Sequence, residues 1–182
     1  MGEAAKIRIL VCDDEPDARE GIVSMLSADP TVLVVGEARN GSEAVDAISS
    51  QVPDLVFLDV QMPRLDGFGV IERTGAERFP VVVFVTAYDE YALRAFEVHA
   101  LDYLLKPFSD DRFSNALTRA KSRVRQNRAC HLSQELASLL ARGDESAVSA
   151  PTAVASAPIE HTSARHWVGS TSNTSWCGWP EH

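Results

Sequence analysis

Val81-Val82-Val83-Phe84-Val85-Thr86 is an unbroken apolar run that ends in a hydroxyl. Side chains alternate sides along a strand, so five successive apolar positions describe a strand buried on both faces. Such strands belong to parallel sheets covered by helices. Four further segments share this character. Ile7-Arg8-Ile9-Leu10-Val11-Cys12 precedes Asp13 and Asp14, Val32 to Val35 is a Val-rich run, Leu55-Val56-Phe57-Leu58 precedes Asp59, and Tyr103-Leu104-Leu105 precedes Lys106. Helical patterns lie between them: Pro16 to Leu26, Ser42 to Ile48 after the turn pair Asn40-Gly41, Phe68 to Arg73 after Asp66-Gly67, and Glu90 to Val98 presenting Leu93, Phe96 and Ala92. The last helix is predicted to take Ser109 as its N-cap, with Asp110 and Asp111 in the first turn and Phe108 stapled to Phe113. The alternation βαβαβαβαβα implies one α/β domain over residues 1–125.

Beyond it, Leu132, Leu136, Leu139 and Leu140 predict a continuation of the last helix over residues 126–142, with Gly143 as its stop. Residues 143–182 read as a linker-like, disordered tail. The first part of that tail is rich in Ala, Ser, Pro and Val, and the remainder holds all three Trp residues without periodicity.

The net charge of −9 is unevenly distributed. Residues 1–118 carry 21 acids against 10 Lys and Arg, whereas residues 119–142 carry six Lys and Arg against Glu135 alone. An acidic domain is a poor nucleic-acid surface, and the basic stretch reads first as a solvated helix face. Cys12, Cys130 and Cys177 are widely separated, which argues for a reducing compartment and against a disulfide framework or zinc site. No apolar run approaches the ~18 residues of a membrane span. The start of the chain shows no apolar leader. A cytoplasmic location without membrane contact is therefore expected.

The chemistry-bearing residues fall at strand ends. In an open α/β sheet, ligands bind outside the carboxyl ends of the strands. Asp13 and Asp14 follow the first strand, Asp59 the third, Thr86 ends the fourth, and Lys106 follows the fifth. Three gathered carboxylates repel one another, and hard oxygen ligands suit Mg²⁺. Lys106 adds a point charge for a phosphate oxygen and Thr86 a hydroxyl donor. Taken singly, each of these residues reads as part of a solvated edge; the ordered set points to phosphoryl chemistry.

Val11-Cys12-Asp13-Asp14-Glu15-Pro16, Leu58-Asp59-Val60-Gln61-Met62-Pro63 with Asp66-Gly67, Thr86-Ala87 and Lys106-Pro107 resemble the signature of response-regulator receiver domains, over about residues 6–125. The resemblance implies a flavodoxin-like (CheY-like) doubly wound parallel sheet of order 2-1-3-4-5. It implies Asp59 as phosphoacceptor, Asp14 as direct Mg²⁺ ligand, Asp13 as its neighbour acting through water, and the backbone carbonyl of Gln61 as a further ligand. It further implies Thr86 and Tyr103 as a switch pair, Lys106 as the phosphate-binding lysine and a cis bond to Pro107. A sensor histidine kinase is the implied partner, and the chain is then no enzyme in the ordinary sense but a participant in its own phosphorylation and dephosphorylation. A homodimer through the face of the fourth helix, fifth strand and fifth helix is the implied readout.

Residues 86–97 and 100–108 further resemble receivers that precede a LytTR-type (LytR/AlgR-like) DNA-binding domain. The 57 residues after position 125 show no β-rich pattern for such an effector, so it is expected to be missing or truncated, and DNA binding is expected only where it is present. Two other function classes are weighed. An aspartyl-phosphate hydrolase of the haloacid-dehalogenase pattern carries a second Asp two residues after the nucleophile, where this chain has Gln61. A receiver-like binding module without phosphorylation would lack an acid, the Thr or the Lys, and all are present.

Overall fold

The computed structural model describes residues 5–75 and 79–143. Five strands, β1 (Ile7–Cys12), β2 (Val32–Ala38), β3 (Leu55–Leu58), β4 (Val81–Thr86) and β5 (Asp102–Leu105), form one sheet of order β2-β1-β3-β4-β5. Every neighbouring pair is parallel. The helices are α1 (Pro16–Ser27), α2 (Gly41–Gln51), α3 (Gly67–Thr74), α4 (Ala92–Glu97) and α5 (Asp110–Gly143). This is the parallel α/β sheet expected from the alternation, in the flavodoxin-like, doubly wound order that the resemblance implied.

The two-residue strand period divides the core into two layers. Ile9, Val11, Phe57, Val83 and Val85 point to one side, where Ile22 and Leu26 of α1 and Phe113, Leu117 and Val124 of α5 cover them. Leu10, Cys12, Val56, Leu58, Val82 and Phe84 point to the other, against Ile48 of α2, Phe68 of α3 and Ala95 of α4. Val81 to Val85 is apolar throughout because it serves both layers, and with Thr86 all six residues of the strand are buried.

Several element boundaries differ from the sequence reading. β2 extends to Ala38 through Gly36 and Glu37, residues with low strand preference. Its pairing with β1 slips by one residue between Ile9 and Leu10, and Glu37 is tied to Arg19 at 2.8 Å. Tertiary pairing outweighs local preference there. The Asn40-Gly41 pair is a helix start rather than a free turn: the Asn40 side chain accepts from the Glu43 N–H at 3.0 Å, and Glu43 reaches back to the Arg39 N–H. The Asn40 bond satisfies a donor that the first helical turn leaves open, and the Glu43 bond ties down the residue before the cap.

Helix α4 is shorter than its pattern, and the face read as apolar is turned outward. Leu93 and Phe96 are 79% and 72% exposed, while Ala95 is the buried residue. Helix α5 begins as predicted, with Ser109 accepting from the Arg112 N–H and Phe108 stacked on Phe113 at 6.0 Å.

The chain divides into two units, Met1–Arg128 and Ala129–His182. In the second, Leu132, Leu136, Leu139 and Leu140 are exposed along the helix that ends at Gly143. The remainder of the expected linker and tail, residues 144–182, lies outside the described residues. Among the described residues, no helix is long and apolar enough to cross a membrane.

At the edge opposite the strand carboxyl ends, Arg128 closes the first unit. Its guanidinium donates to both Asp54 oxygens, at 2.6 and 3.1 Å, and to the carbonyls of Ala5 and Lys6. Asp54 in turn accepts from the Arg8 N–H at 2.8 Å. Arg128→Ala is expected to lower unfolding stability by about 1–2 kcal/mol, because it removes a bidentate pair and leaves partly buried acceptors unmatched. Arg128→Lys should recover little of the loss, since one ammonium cannot reproduce the fork. Urea denaturation of the three proteins measures both.

Candidate functional site

The hydrogen-bond ladder continues one residue past the strands and so fixes the site residues in register. The Asp13 N–H donates to the Ala38 carbonyl at 3.0 Å, that of Asp59 to the Cys12 carbonyl at 2.8 Å, and that of Lys106 to the Thr86 carbonyl at 2.8 Å. Residues distant in sequence thereby meet at one rim. Asp13, Asp14 and Asp59 each offer a carboxylate oxygen, and these atoms lie within 4.8 Å of one another. Asp13 and Asp59 are buried and Asp14 is exposed, so the cluster opens to solvent on the Asp14 side.

Lys106 closes the other side. Its Nζ lies 2.7 Å from Asp13 Oδ2, 3.4 Å from Asp59 Oδ2 and 3.5 Å from Glu15 Oε2. Burial works against the ammonium charge, yet the hydrogen bond to Asp13 and the fields of Asp59, Asp13 and Glu15 outweigh it, and the Lys106 pKa is raised. The Asp13 pKa is also raised: burial disfavours its charge, and Lys106 offsets this only in part. The Lys106–Pro107 bond is cis, as the resemblance implied.

Asp13 is buttressed by contacts that no sequence pattern announced. Its Oδ1 accepts from the Glu15 N–H at 3.0 Å, and its backbone carbonyl accepts from Arg19 at 2.8 Å. Arg19 is one of the few buried charged residues, and its other partner is Glu37 of β2. The distance between Arg19 and Glu37 along the chain hid the pair. The Arg19-to-Asp13 link runs from the first turn of α1 back to the residue after β1, and it becomes visible only once β1 has placed that carbonyl.

Thr86 is fully buried, and its Oγ1 has no hydrogen-bond partner, a singular state among the described buried side-chain polar atoms. An unpaired buried hydroxyl costs about 1–3 kcal/mol, and this one stands at the carboxyl end of β4, beside the rim that holds the carboxylates. Tyr103 lies against Phe84, with ring centroids 6.3 Å apart, and its hydroxyl donates to the Tyr88 carbonyl in the loop after β4. Burial, together with the negative fields of Asp89 and Asp59, raises its pKa to about 12, so the phenol keeps the proton it donates.

Gln61 follows Asp59 by two residues. Its N–H donates to Asp59 Oδ1 at 3.2 Å and its side-chain amide to the Tyr91 hydroxyl at 3.1 Å. Asp14, Gln61, Met62, Asp66 and Tyr91 line a cleft of about 450 Å³ just beyond the carboxylate cluster. Every site residue read from the sequence is thus gathered at one end of the sheet or, for Tyr103, on the strand and loop beside it. Tyr91 is the addition.

Residues 9–118 match the family model of the response regulator receiver domain. The chain belongs to that family. This receiver is 48% identical, over 113 residues, to an uncharacterized response regulatory protein of Yersinia pestis, covering 62% of this chain and 48% of that protein. It is 44% identical over 123 residues to the transcriptional regulatory protein BtsR of Salmonella typhi, covering 68% and 50%. Among solved structures, the receiver domain of AraT, a response regulator from Geobacillus stearothermophilus, superposes with a TM-score of 0.61 at 31% identity, covering 67% of this chain and 98% of that one. The signal receiver domain of the putative response regulator NarL from Mycobacterium tuberculosis gives 0.59 at 35% identity, covering 64% and 98%. The chain spans about half the length of the curated relatives it matches.

Proposed function

We propose that this receiver accepts a phosphoryl group on Asp59 from a partner histidine kinase, and that the modification is read out through Thr86 and Tyr103. The observation that carries this is the placement of the Lys106 ammonium between Asp13 and Asp59, within an oxygen-rich cluster that also holds Asp14. The cluster fits Mg²⁺: three carboxylates outnumber Lys106 by two charges, and all the donors are hard oxygens. Asp13, Asp14, Asp59 and the Gln61 carbonyl would hold the ion. When bound, it supplies charge neutralisation for phosphoryl oxygens.

The chain's own residues do the rest. An Asp59 oxygen forms a bond to phosphorus as the bond to the donor's leaving atom breaks, and the product is an acyl phosphate. Lys106 pairs with a phosphoryl oxygen in place of part of its contact with Asp59. The Thr86 hydroxyl donates to another, which satisfies its orphan oxygen. The receiver is then the substrate of its own modification rather than an enzyme acting on others.

Readout on the α4–β5–α5 face is supported by its surface. Leu93, Phe96 and Leu105 are exposed there, beside the Asp102 carboxylate that Arg112 and Arg119 grip. A Thr86 hydroxyl drawn to the phosphoryl group changes the packing beneath Tyr103 and the loop it binds, which shifts that face and favours homodimerisation. The motif of residues 86–108 supports membership of the LytTR-type subfamily, and likeness to the transcriptional regulatory protein BtsR supports a place in a transcriptional regulator; contact with DNA would then belong to an effector domain.

The test is intact-mass measurement after incubation with acetyl phosphate, with Mg²⁺ or with a chelator. One phosphoryl group is expected with Mg²⁺ and none without. Uptake that ignores the chelator overturns the reading. In Asp14→Ala, Mg²⁺ affinity by calorimetric titration is expected to fall at least about tenfold, because loss of one hard ligand leaves a coordination position to water.

A further inference from the structure

We propose that Tyr91 is a positioning residue that sets the lifetime of the phosphoryl group, by holding the Gln61 side chain as a fixed wall of the cleft beside Asp59. This rests on the reading of Asp59 as phosphoacceptor.

Gln61 is an exposed side chain, and its free amide would sample many rotamers. Tyr91 removes that freedom. Its ring is half-buried against the core layer of α3, 6.2 Å from the fully buried Phe68 and edge-on to Tyr88 at 6.2 Å. The hydroxyl is therefore a stationary acceptor, and the Gln61 amide donates to it at 3.1 Å. The backbone of the same residue binds the reacting carboxylate, at 3.2 Å from Asp59 Oδ1. One residue thus spans from Asp59 to the entrance of α4, and Tyr91 acts on the chemistry only through it. The loop that carries Tyr91 is gripped a second time, since the Tyr88 carbonyl accepts from Tyr103. Cleft geometry and switch aromatic are joined in one short segment.

The consequence concerns water. In hydrolysis, a water oxygen bonds to phosphorus while the bond from phosphorus to Asp59 breaks. The Asp59 carboxylate leaves with the electron pair, and both water protons end on dihydrogen phosphate. Attack in line requires approach from the solvent side, where the Gln61–Tyr91 wall narrows the cleft. Untethering the amide opens that approach, so the tether prolongs the phosphorylated state.

The experiment labels wild type, Tyr91→Phe, Gln61→Ala and the double variant with acetyl phosphate and Mg²⁺, removes the donor, and follows the phosphorylated mass with time. Tyr91→Phe keeps the ring and its packing and removes only the hydroxyl; Gln61→Ala alters an exposed side chain without touching the core. Each single variant is expected to lose the phosphoryl group about 2- to 10-fold faster than wild type, the span one neutral hydrogen bond supports. The double variant should decay no faster than the faster single variant, because both remove the same contact. Mg²⁺ affinity should be unchanged in Tyr91→Phe. A Tyr91→Phe lifetime equal to wild type, or effects that multiply in the double variant, overturns the inference while leaving Asp59 as phosphoacceptor. A wild type that takes up no phosphoryl group overturns both.

Discussion

Asp59→Asn is expected to take up no phosphoryl group under conditions in which the wild type is fully labelled. The substitution is nearly isosteric, so the buried pocket at the end of β3 keeps its shape and the N–H bond to the Cys12 carbonyl is untouched. What is lost is the nucleophile: a neutral amide oxygen is a poor attacker at phosphorus, and the amide cannot leave behind an acyl phosphate. The neighbouring acids do not substitute for it. Asp13 is engaged by Lys106 at 2.7 Å and by the Glu15 N–H, and burial further disfavours its charge. Asp14 is exposed on the solvent side of the cluster. Intact mass, followed by peptide mapping of any residual label, is the measurement. Undiminished labelling of Asp59→Asn would sink the assignment.

Gly67→Ala is expected to destabilise the receiver by about 2–3 kcal/mol, the upper part of the range for overpacking a filled core, and to lower its melting temperature by roughly 10 °C. Gly67 opens α3, and its N–H donates to the Val60 carbonyl at 2.8 Å. A Cβ there would strike the backbone carbonyl of Asp59 and come within 3.1 Å of a Phe84 ring carbon and 3.2 Å of Val60 Cα. None of these is the loose end of a flexible side chain, so relief requires moving the end of β3 itself. Phosphoryl uptake should therefore slow along with the loss of stability. The same substitution at Gly21 provides the contrast. That position lies inside α1 with open space around it, and Ala is the better helix former by about 1 kcal/mol. Gly21→Ala is expected to leave stability unchanged or raised. Thermal unfolding of the two variants, side by side, tests whether close approach at Gly67 accounts for the difference. Equal melting temperatures would show that it does not.

The legibility of this protein follows the range of the forces involved. Strands were readable where burial dictates composition: Val81 to Val85 is apolar at every position because two core layers need it, and β1, β3 and β4 match their sequence limits to within a residue. Boundaries set by contacts between distant residues were not readable. Glu37 is in a strand because β1 pairs with it and Arg19 holds it. Helix α2 began before the expected residue, although its signal was local. The spacing of Asn40 and Glu43 is that of a reciprocal cap, but the Asn40-Gly41 pair carries the signature of a turn as well. The apolar residues of α4 misled for another reason: periodicity shows that Leu93 and Phe96 stand apart from polar neighbours, but not which direction they face.

The sequence alone called for a parallel α/β sheet, whose strand order the family resemblance implied, and for a set of charged and hydroxyl residues at its strand ends. Strand-end residues in a parallel α/β domain must converge on one rim, so the order of Asp13, Asp14, Asp59, Thr86 and Lys106 along the chain already defined an acidic cluster with one cation. Only the tertiary structure decided how those groups are engaged. Lys106 is drawn closer to Asp13 than to Asp59, the Thr86 hydroxyl is left buried without a partner, and Tyr91 reaches Gln61 from thirty residues away. The physical reason is that strand pairing is a backbone property that any suitable apolar run satisfies. A hydrogen bond, in contrast, depends on donor and acceptor meeting within a few tenths of an ångström, and that distance is set by the packing of every helix against the sheet.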